Sequence, residues 1–390
     1  MKRPERDRDG QQWINDYLLK ATGRAVHYEL DARVLPPQAK SMAMVSKYVT
    51  KEAEHAERLA KAAEAHGDPL NARAYYRMAT EHYREAQHFV VPPSSPKRWD
   101  LYAKTKECAA KLFELADYPI EAVELESDGK SYPGVFHRLD GDQPAPAVIF
   151  IPGMDMTKEN YPNPLDNEFR HYGMHVLAID GPGQGEALER GHFVTPTNHI
   201  DVAKAAFEYL AARPEVDETR IGIAGRSFGT FWSLRAAADE PRLAAVGGAV
   251  GCYFWDRLTI FDEAPIRFKQ VFMAMSGMTD EAEFDKISEG YTLKGHSDRV
   301  ECPVFMGIGE FDPLNPMEDA EAVFDSLSGA KEMWIFEDQF HSVATNKCLM
   351  GRNTYNFIAE WMRRALDGKI SSSHQKKTFI KNNGEGLYAE

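Results

Sequence analysis

The chain predicts an α/β fold, a mostly parallel central sheet with helices on both faces, preceded by a helical N-terminal domain and interrupted by a lid. Three observations predict it. Short, almost continuously apolar runs recur from Ala147 to Phe336. Helical patterns separate most of them, and strands buried on both faces between helices are the mark of a parallel sheet. The first third is dominated instead by Ala, Glu, Lys, Arg and Met, all good helix formers.

Bulk properties bound the function. The 390 residues are 43% hydrophobic and 27% charged, enough for a large core with a second element. The formal net charge is −14, from 60 acidic and 46 basic residues. Such a surface repels phosphate backbones and anionic membranes, which argues against nucleic-acid and membrane partners. Cys108, Cys252, Cys302 and Cys348 are widely spaced with no C-x-x-C pair, so neither a zinc site nor a disulfide framework is expected. The N-terminus MKRPERDRDG has no apolar signal region, and no run nears the ~20 apolar residues of a membrane span. The expectation is a cytoplasmic protein with reduced thiols.

Residues 1–117 read as the helical domain, a cap or dimerisation element. A helical pair runs from Pro37 to Phe89 and is punctuated at His66-Gly-Asp-Pro69. Its second helix places Tyr75, Met78, Ala79, Tyr83, Ala86 and Phe89 on one stripe, either for helix packing or for a homodimer contact. After Val91-Pro-Pro-Ser-Ser-Pro96 a further helix spans Arg98–Ala116. Residues 118–370 form the core. Val123–Ser127 and Ser131–Leu139 pair as antiparallel strands around Asp128-Gly129. The apolar strands are Ala147–Ile151, His175–Ile179, Arg220–Ala224, Ala244–Val250, Pro303–Ile308 and Lys331–Phe336. Helices are expected at Ile200–Ala212, Phe228–Ala238 and Asn353–Leu366. The aromatic stretch 252–300 breaks the alternation and reads as an inserted lid. The polar, lysine-rich tail 371–390 reads as flexible.

Gly225-Arg226-Ser227-Phe228-Gly229 matches G-x-S-x-G at a strand–helix junction, the nucleophile elbow of the α/β-hydrolase fold. Its bland alternative is a glycine-rich turn with an N-capping serine. A serine hydroxyl needs a base to take its proton. His341 follows the last apolar strand, and Asp312, in Gly309-Glu-Phe-Asp-Pro313, follows the one before it. The order Ser, Asp, His is that of this fold. Glu310 and Asp338 are the rival acids. The oxyanion hole needs two backbone N–H donors, one from Phe228 and one from the Pro152–Glu159 loop, where Gly153 and Met154 are the alternatives. Asp180-Gly-Pro-Gly-Gln-Gly185 lacks G-x-G-x-x-G spacing and reads as a tight turn rather than a dinucleotide loop. Tyr253, Phe254 and Trp255 stack on an aromatic substrate or fill the lid's own core. His192 contacts substrate or lies at the surface. No metal ligands cluster, and a serine hydrolase needs no cofactor.

The Ser227 elbow, Asp180-Gly-Pro-Gly-Gln-Gly185 and Pro152-Gly-Met-Asp-Met-Thr-Lys-Glu159 together resemble the 2,6-dihydroxypseudooxynicotine hydrolase family, which is itself similar to fungal hydrolases that shorten polyketides. The resemblance covers Tyr118 to Leu366, and a helical N-terminal segment is also a feature of that family. It implies cleavage of a carbon–carbon bond next to a ketone, in a β-diketone, acylated aromatic or polyketide-like substrate. It also implies that an acid just past the oxyanion loop takes part. Asp155 stands there, where the family has glutamate. Asp155 then donates a proton or holds the loop in shape. A carboxylesterase or thioesterase with the same triad is the alternative chemistry, and a non-catalytic binding module the alternative class.

Overall fold

The computed structural model describes residues 38–39, 42–154, 156–341 and 347–388. Much of the expected N-terminal helical segment before Met42, together with Asp155, lies outside the described residues. Among the described residues three helices come first: α1 (Met42–His66), α2 (Pro69–His88) and α3 (Lys97–Glu114). The turn between α1 and α2 is made by Gly67 at φ +80°, followed by Asp68, whose carboxylate accepts from Asn71 N–H at 3.1 Å with Pro69 at the first helical position. The stripe that α2 buries is Ala72, Tyr76, Ala79, Tyr83 and Ala86. The sequence reading is shifted at its start: Tyr76 is the tyrosine fully in the core, Tyr75 packs half-buried against it, and Met78 is exposed. The α1–α2 interface selects the face whose polar tips find partners. Tyr76 and Tyr83 donate to Glu64 and Glu57 of α1, each at 2.6 Å.

Nine strands form one sheet in the order β1-β2-β4-β3-β5-β6-β7-β8-β9. They are β1 (Ile120–Ser127), β2 (Lys130–His137), β3 (Ala145–Ile151), β4 (His175–Ile179), β5 (Val216–Ser227), β6 (Val246–Gly251), β7 (Val304–Gly309), β8 (Lys331–Phe336) and β9 (Gln375–Ile380). The β1–β2 and β2–β4 pairs are antiparallel, and the other pairs are parallel. The expected α/β-hydrolase architecture is therefore present. Its crossover elements are α4 (Glu168–His171), α5 (Gly185–Glu189), α6 (Asn198–Ala211), α7 (Phe228–Asp239), α11 (Met317–Ser326) and α12 (Tyr355–Leu366). Between β6 and β7 lie α8 (Thr259–Asp262), α9 (Ile266–Met275) and α10 (Glu281–Ser288).

The tail is a correction. The segment expected to fray from Ser371 carries a strand: β9 pairs with β8 over six residues, from Lys331↔Gln375 to Phe336↔Ile380. Alternation explains both the ordering and the misreading. Thr378 and Ile380 point inward while Gln375, Lys377 and Phe379 point outward, so half of a lysine-rich segment faces water on a true edge strand. No helix among the described residues is long and apolar enough to cross a membrane.

Candidate active site

The parallel register brings the C-terminal ends of β3, β4, β5, β7 and β8 to one edge of the sheet, where a doubly wound sheet places its ligands. At the end of β5 the chain turns sharply into α7. Ser227 sits at that turn with φ +54° and ψ −122°, a conformation that costs a non-glycine residue backbone energy. Glycine is obligatory on both sides. A Cβ on Gly225 would lie 2.2 Å from the Gly229 carbonyl carbon, and one on Gly229 would lie 2.0 Å from the Ile151 carbonyl oxygen.

Three of the residues picked out in the sequence meet here. Ser227 Oγ is 2.7 Å from His341 Nε2, and His341 Nδ1 is 2.8 Å from Asp312 Oδ2. The Asp312 side chain is fully buried, and its other oxygen accepts from Leu314 N–H at 2.9 Å. Because a carboxylate only accepts, Nδ1 carries the proton and Nε2 is free to accept from the serine hydroxyl. The rival acids stand elsewhere. Glu310 accepts from the Asp338 N–H, and Asp338 accepts from Asn382 Nδ2, both on the exposed surface. Phe228 begins α7 directly after the serine, and its fully buried ring packs against Phe254, Phe261 and Phe272 at centroid distances of 5.2, 6.1 and 4.6 Å.

The aromatic residues singled out as substrate contacts are used by the fold. Tyr253 is a correction: it is fully buried, its backbone N–H donates to Asn315 Oδ1, and its hydroxyl bridges the Gly307 backbone on β7, donating to O at 3.2 Å and accepting from N–H at 3.1 Å. A tyrosine with both ends engaged has no face left for a ligand. Phe254 belongs to the aromatic cluster on Phe228. Trp255 is half-buried against the core with Lys294 over its ring. His192 lies beside Tyr132, ring centroids 4.9 Å apart, and its carbonyl accepts from Gly183 N–H.

Several residues at the site carry no motif. Cys252 Sγ is 3.7 Å from Ser227 Oγ, because β6 ends beside β5 and Cys252 N–H donates to the Ser227 carbonyl at 3.1 Å. Burial, with Asp312 nearby, pushes this thiol far up, so it stays protonated and unreactive. The Pro152–Asn160 loop rests on a buried ionic cluster. Lys158 Nζ reaches Glu159, Asp180 and Glu186 at 2.7, 3.1 and 3.0 Å. Tyr102 of α3 donates to Asp180 at 3.0 Å and to Glu159 at 3.2 Å. Asp180 also accepts from the backbone N–H groups of Lys158 and Glu186, at 2.8 and 3.0 Å. Burial alone would lower the Lys158 ammonium, but Asp180, Glu159, Tyr102 and Glu186 outweigh it and hold the ammonium charged. From α2, Arg77 donates to the Asn160 carbonyl at 2.9 Å. The glycine-rich turn is thus more than a tight turn. Its first residue, Asp180, anchors the neighbouring loop, and the only sequence sign was a buried-strand aspartate with no pairing partner nearby in the chain.

A strained serine on a strand–helix turn, relayed through histidine to a buried aspartate at the carboxyl edge of a parallel sheet, defines an α/β-hydrolase. The prolyl oligopeptidase family profile matches residues 167–369, and the chain belongs to that family. It is 34% identical over 157 residues to 2,6-dihydropseudooxynicotine hydrolase of Paenarthrobacter nicotinovorans, an alignment covering 40% of this chain and 42% of that relative. It is 24% identical over 348 residues to Hydrolase LUC6 of Fusarium sp, covering 74% and 79%. A crystal structure of 2,6-dihydroxy-pseudo-oxynicotine hydrolase superposes with a TM-score of 0.74 at 24% identity, covering 87% of this chain and 93% of that one, a likeness of fold. The protein is a hydrolase, with the family resemblance its motifs indicated.

Proposed function

We propose that this hydrolase works through a Ser227 nucleophile and cleaves a carbon–carbon bond next to a ketone in a small β-diketone or acylated aromatic. The observation that carries the nucleophile is the continuous line from Ser227 Oγ through His341 to Asp312. Ser227 attacks the ketone carbonyl while His341 Nε2 takes its proton. Asp312 holds the imidazole and stabilises the cation that forms. The developing oxyanion sits on the N–H of Phe228 and on the Gly153–Met154 loop. Breakage of the C–C bond leaves its electron pair on carbon, delocalised into the adjoining carbonyl or ring, and that carbon takes a proton from His341 or Asp155. His341, neutral once its proton has passed to that carbon or, where Asp155 was the donor, to the Asp155 carboxylate, deprotonates the water that hydrolyses the acyl-enzyme. The carbon–carbon assignment rests on the loop motifs shared with the 2,6-dihydroxypseudooxynicotine hydrolase family.

Two variants test this. A fluorophosphonate probe labels the wild type and does not label Ser227→Ala. Asp155→Asn keeps cleavage of an activated ester and loses β-diketone cleavage by about 10²-fold, the usual worth of a positioned proton donor. Wild-type C–C cleavage in Asp155→Asn removes the proton-donor role. A wild type that turns over esters but no β-diketone replaces this reading with the esterase one.

A further inference from the structure

Gln184 is a buried residue at this edge that the mechanism above leaves unused. It is 1% exposed and lies in the turn after β4. Its Oε1 accepts from Gly181 N–H at 3.2 Å, which fixes the orientation of the amide. Its Nε2 therefore faces the neighbouring loop, and donates to the carbonyls of Pro152 at 2.7 Å and Gly153 at 3.0 Å. The turn that carries Gln184 is itself held firmly. His199 Nε2 donates to the Pro182 carbonyl at 3.0 Å, and its ring stacks on Trp232 at 3.7 Å and 11°. A Cβ on Gly181 would lie 2.2 Å from His199 Cε1, so the turn and the imidazole are in contact.

The consequence follows from peptide geometry and strand order. In a trans peptide the carbonyl and the following N–H point in opposite directions. Anchoring the Pro152 and Gly153 carbonyls on Gln184 turns the N–H groups of Gly153 and Met154 the other way. In the sheet, β3 lies between β4 and β5. Gln184 follows β4, while Ser227 ends β5, and the β3–β5 register runs up to Ile151↔Gly225. Carbonyls turned to the β4 side put both N–H groups on the serine side.

We propose that Gln184 is a positioning residue that aims the Gly153 and Met154 N–H groups at the oxyanion formed when Ser227 attacks. This rests on the serine-nucleophile reading. Without the two donated hydrogen bonds the Pro152 carbonyl loses its amide partner and the Gly153 carbonyl is left with the Met156 N–H at 3.2 Å, so donors that must be preorganised are held less firmly and reorient during the reaction.

The test needs no natural substrate, because phosphonylation of Ser227 also builds negative charge on an oxygen held by the same donors. Saturation kinetics with a fluorophosphonate separate the reversible affinity from the rate of bond formation. Gln184→Met keeps length and loses both donors. Its expected rate of bond formation is about 10–100-fold below wild type, as for a weakened oxyanion donor. Affinity for the probe changes by less than about threefold, and every molecule is labelled in the end. A trifluoromethyl ketone, which binds as an oxyanion adduct, loses affinity in parallel. Gln184→Glu, of the same length but with donors replaced by acceptors, gives the same pattern if methionine disturbs the turn. A bond-forming rate within twofold of wild type in either folded variant overturns the proposal. So does a loss confined to the labelled fraction or to affinity, which marks a merely structural role. A wild type that takes no label instead removes the Ser227 reading beneath it.

Discussion

Ser227, His341 and Asp312 form one hydrogen-bonded line at the edge of the sheet, an arrangement whose chemistry prescribes residue type, chain order and position after a strand. The aspartate needs the structure to separate it from Glu310 and Asp338, since three acids share that stretch and only burial against the imidazole distinguishes them. Asp312→Asn preserves shape while reversing the donor–acceptor relation at His341 Nδ1. The imidazole then presents the wrong tautomer to the serine, and turnover is expected to fall by roughly 10³–10⁴-fold with the substrate KM little changed. Steady-state kinetics on an activated ester check this, and turnover by Asp312→Asn within about tenfold of wild type would remove the aspartate from the relay. Tyr253 carried two readings, substrate contact or lid core, because aromatic type does not say which way a side chain points, and its burial selects the core. The end of β6 aims its hydroxyl at the β7 backbone, and no pattern in residues 252–300 reports that contact. Cys252 escaped notice for the same reason: its neighbour Ser227 is 25 positions away and the two meet only through strand pairing.

At the scale of elements, most strands and the main helices follow from periodicity with ends shifted by a residue or two, while β1 starts three residues early, β5 runs four and three residues past its expected ends, and β9 reads as tail. What periodicity missed is how the loops lock together. Lys158, Glu159 and Asp180 occupy a loop and a turn that read only as an oxyanion loop and a tight turn, yet all three are buried. They are retained because each carboxylate finds the ammonium or a backbone N–H, and because Tyr102 of α3 closes the cluster from above. Removing the one cation breaks this balance. Lys158→Met leaves Glu159 and Asp180 buried without their counter-ion, and the expected cost is about 3–5 kcal/mol of stability. Urea unfolding at neutral pH reads it. A loss under about 1 kcal/mol would mean that the carboxylates are solvated in solution and the loop is not held as described. Because α2 and α3 supply Arg77 and Tyr102 to this loop, the helices before the sheet help to shape the catalytic edge.

For the whole molecule, two buried histidines link stability to pH. His137 bonds Tyr118 at 2.9 Å through Nδ1, and His199 lies between the Pro182 carbonyl and Trp232. Burial lowers both imidazoles to about 3. An unfolded histidine takes its proton near pH 6.5. Between those values the unfolded chain binds more protons than the folded one, so stability falls as pH drops below about 6.5, by up to about 1.4 kcal/mol per pH unit for each histidine. At pH 5 the two together remove about 4 kcal/mol. Chemical denaturation at pH 7.5 and pH 5 measures the difference, and His137→Asn is expected to remove about half of it. Equal stability at the two values would show that both rings are hydrated, and a difference near half the expected one that a single ring is. The sequence could not locate this, since 13 histidines look alike until burial separates them.

The terminal strand carries a consequence for the behaviour of the chain in crowded solution. As the last strand of the sheet, β9 covers the backbone edge of β8 along its full length. If residues 375–380 peel away, β8 presents a rank of open N–H and C=O groups on an apolar strand, the template on which a second chain can add itself. The lysines that made this segment look like a loose tail are then its safeguard: Lys377 pairs outward with Glu321 and Asp325, at 3.5 and 3.3 Å, and keeps the strand's water-facing side charged. Residues 375–380, dispensable by appearance, cover the edge on which a second chain could add itself.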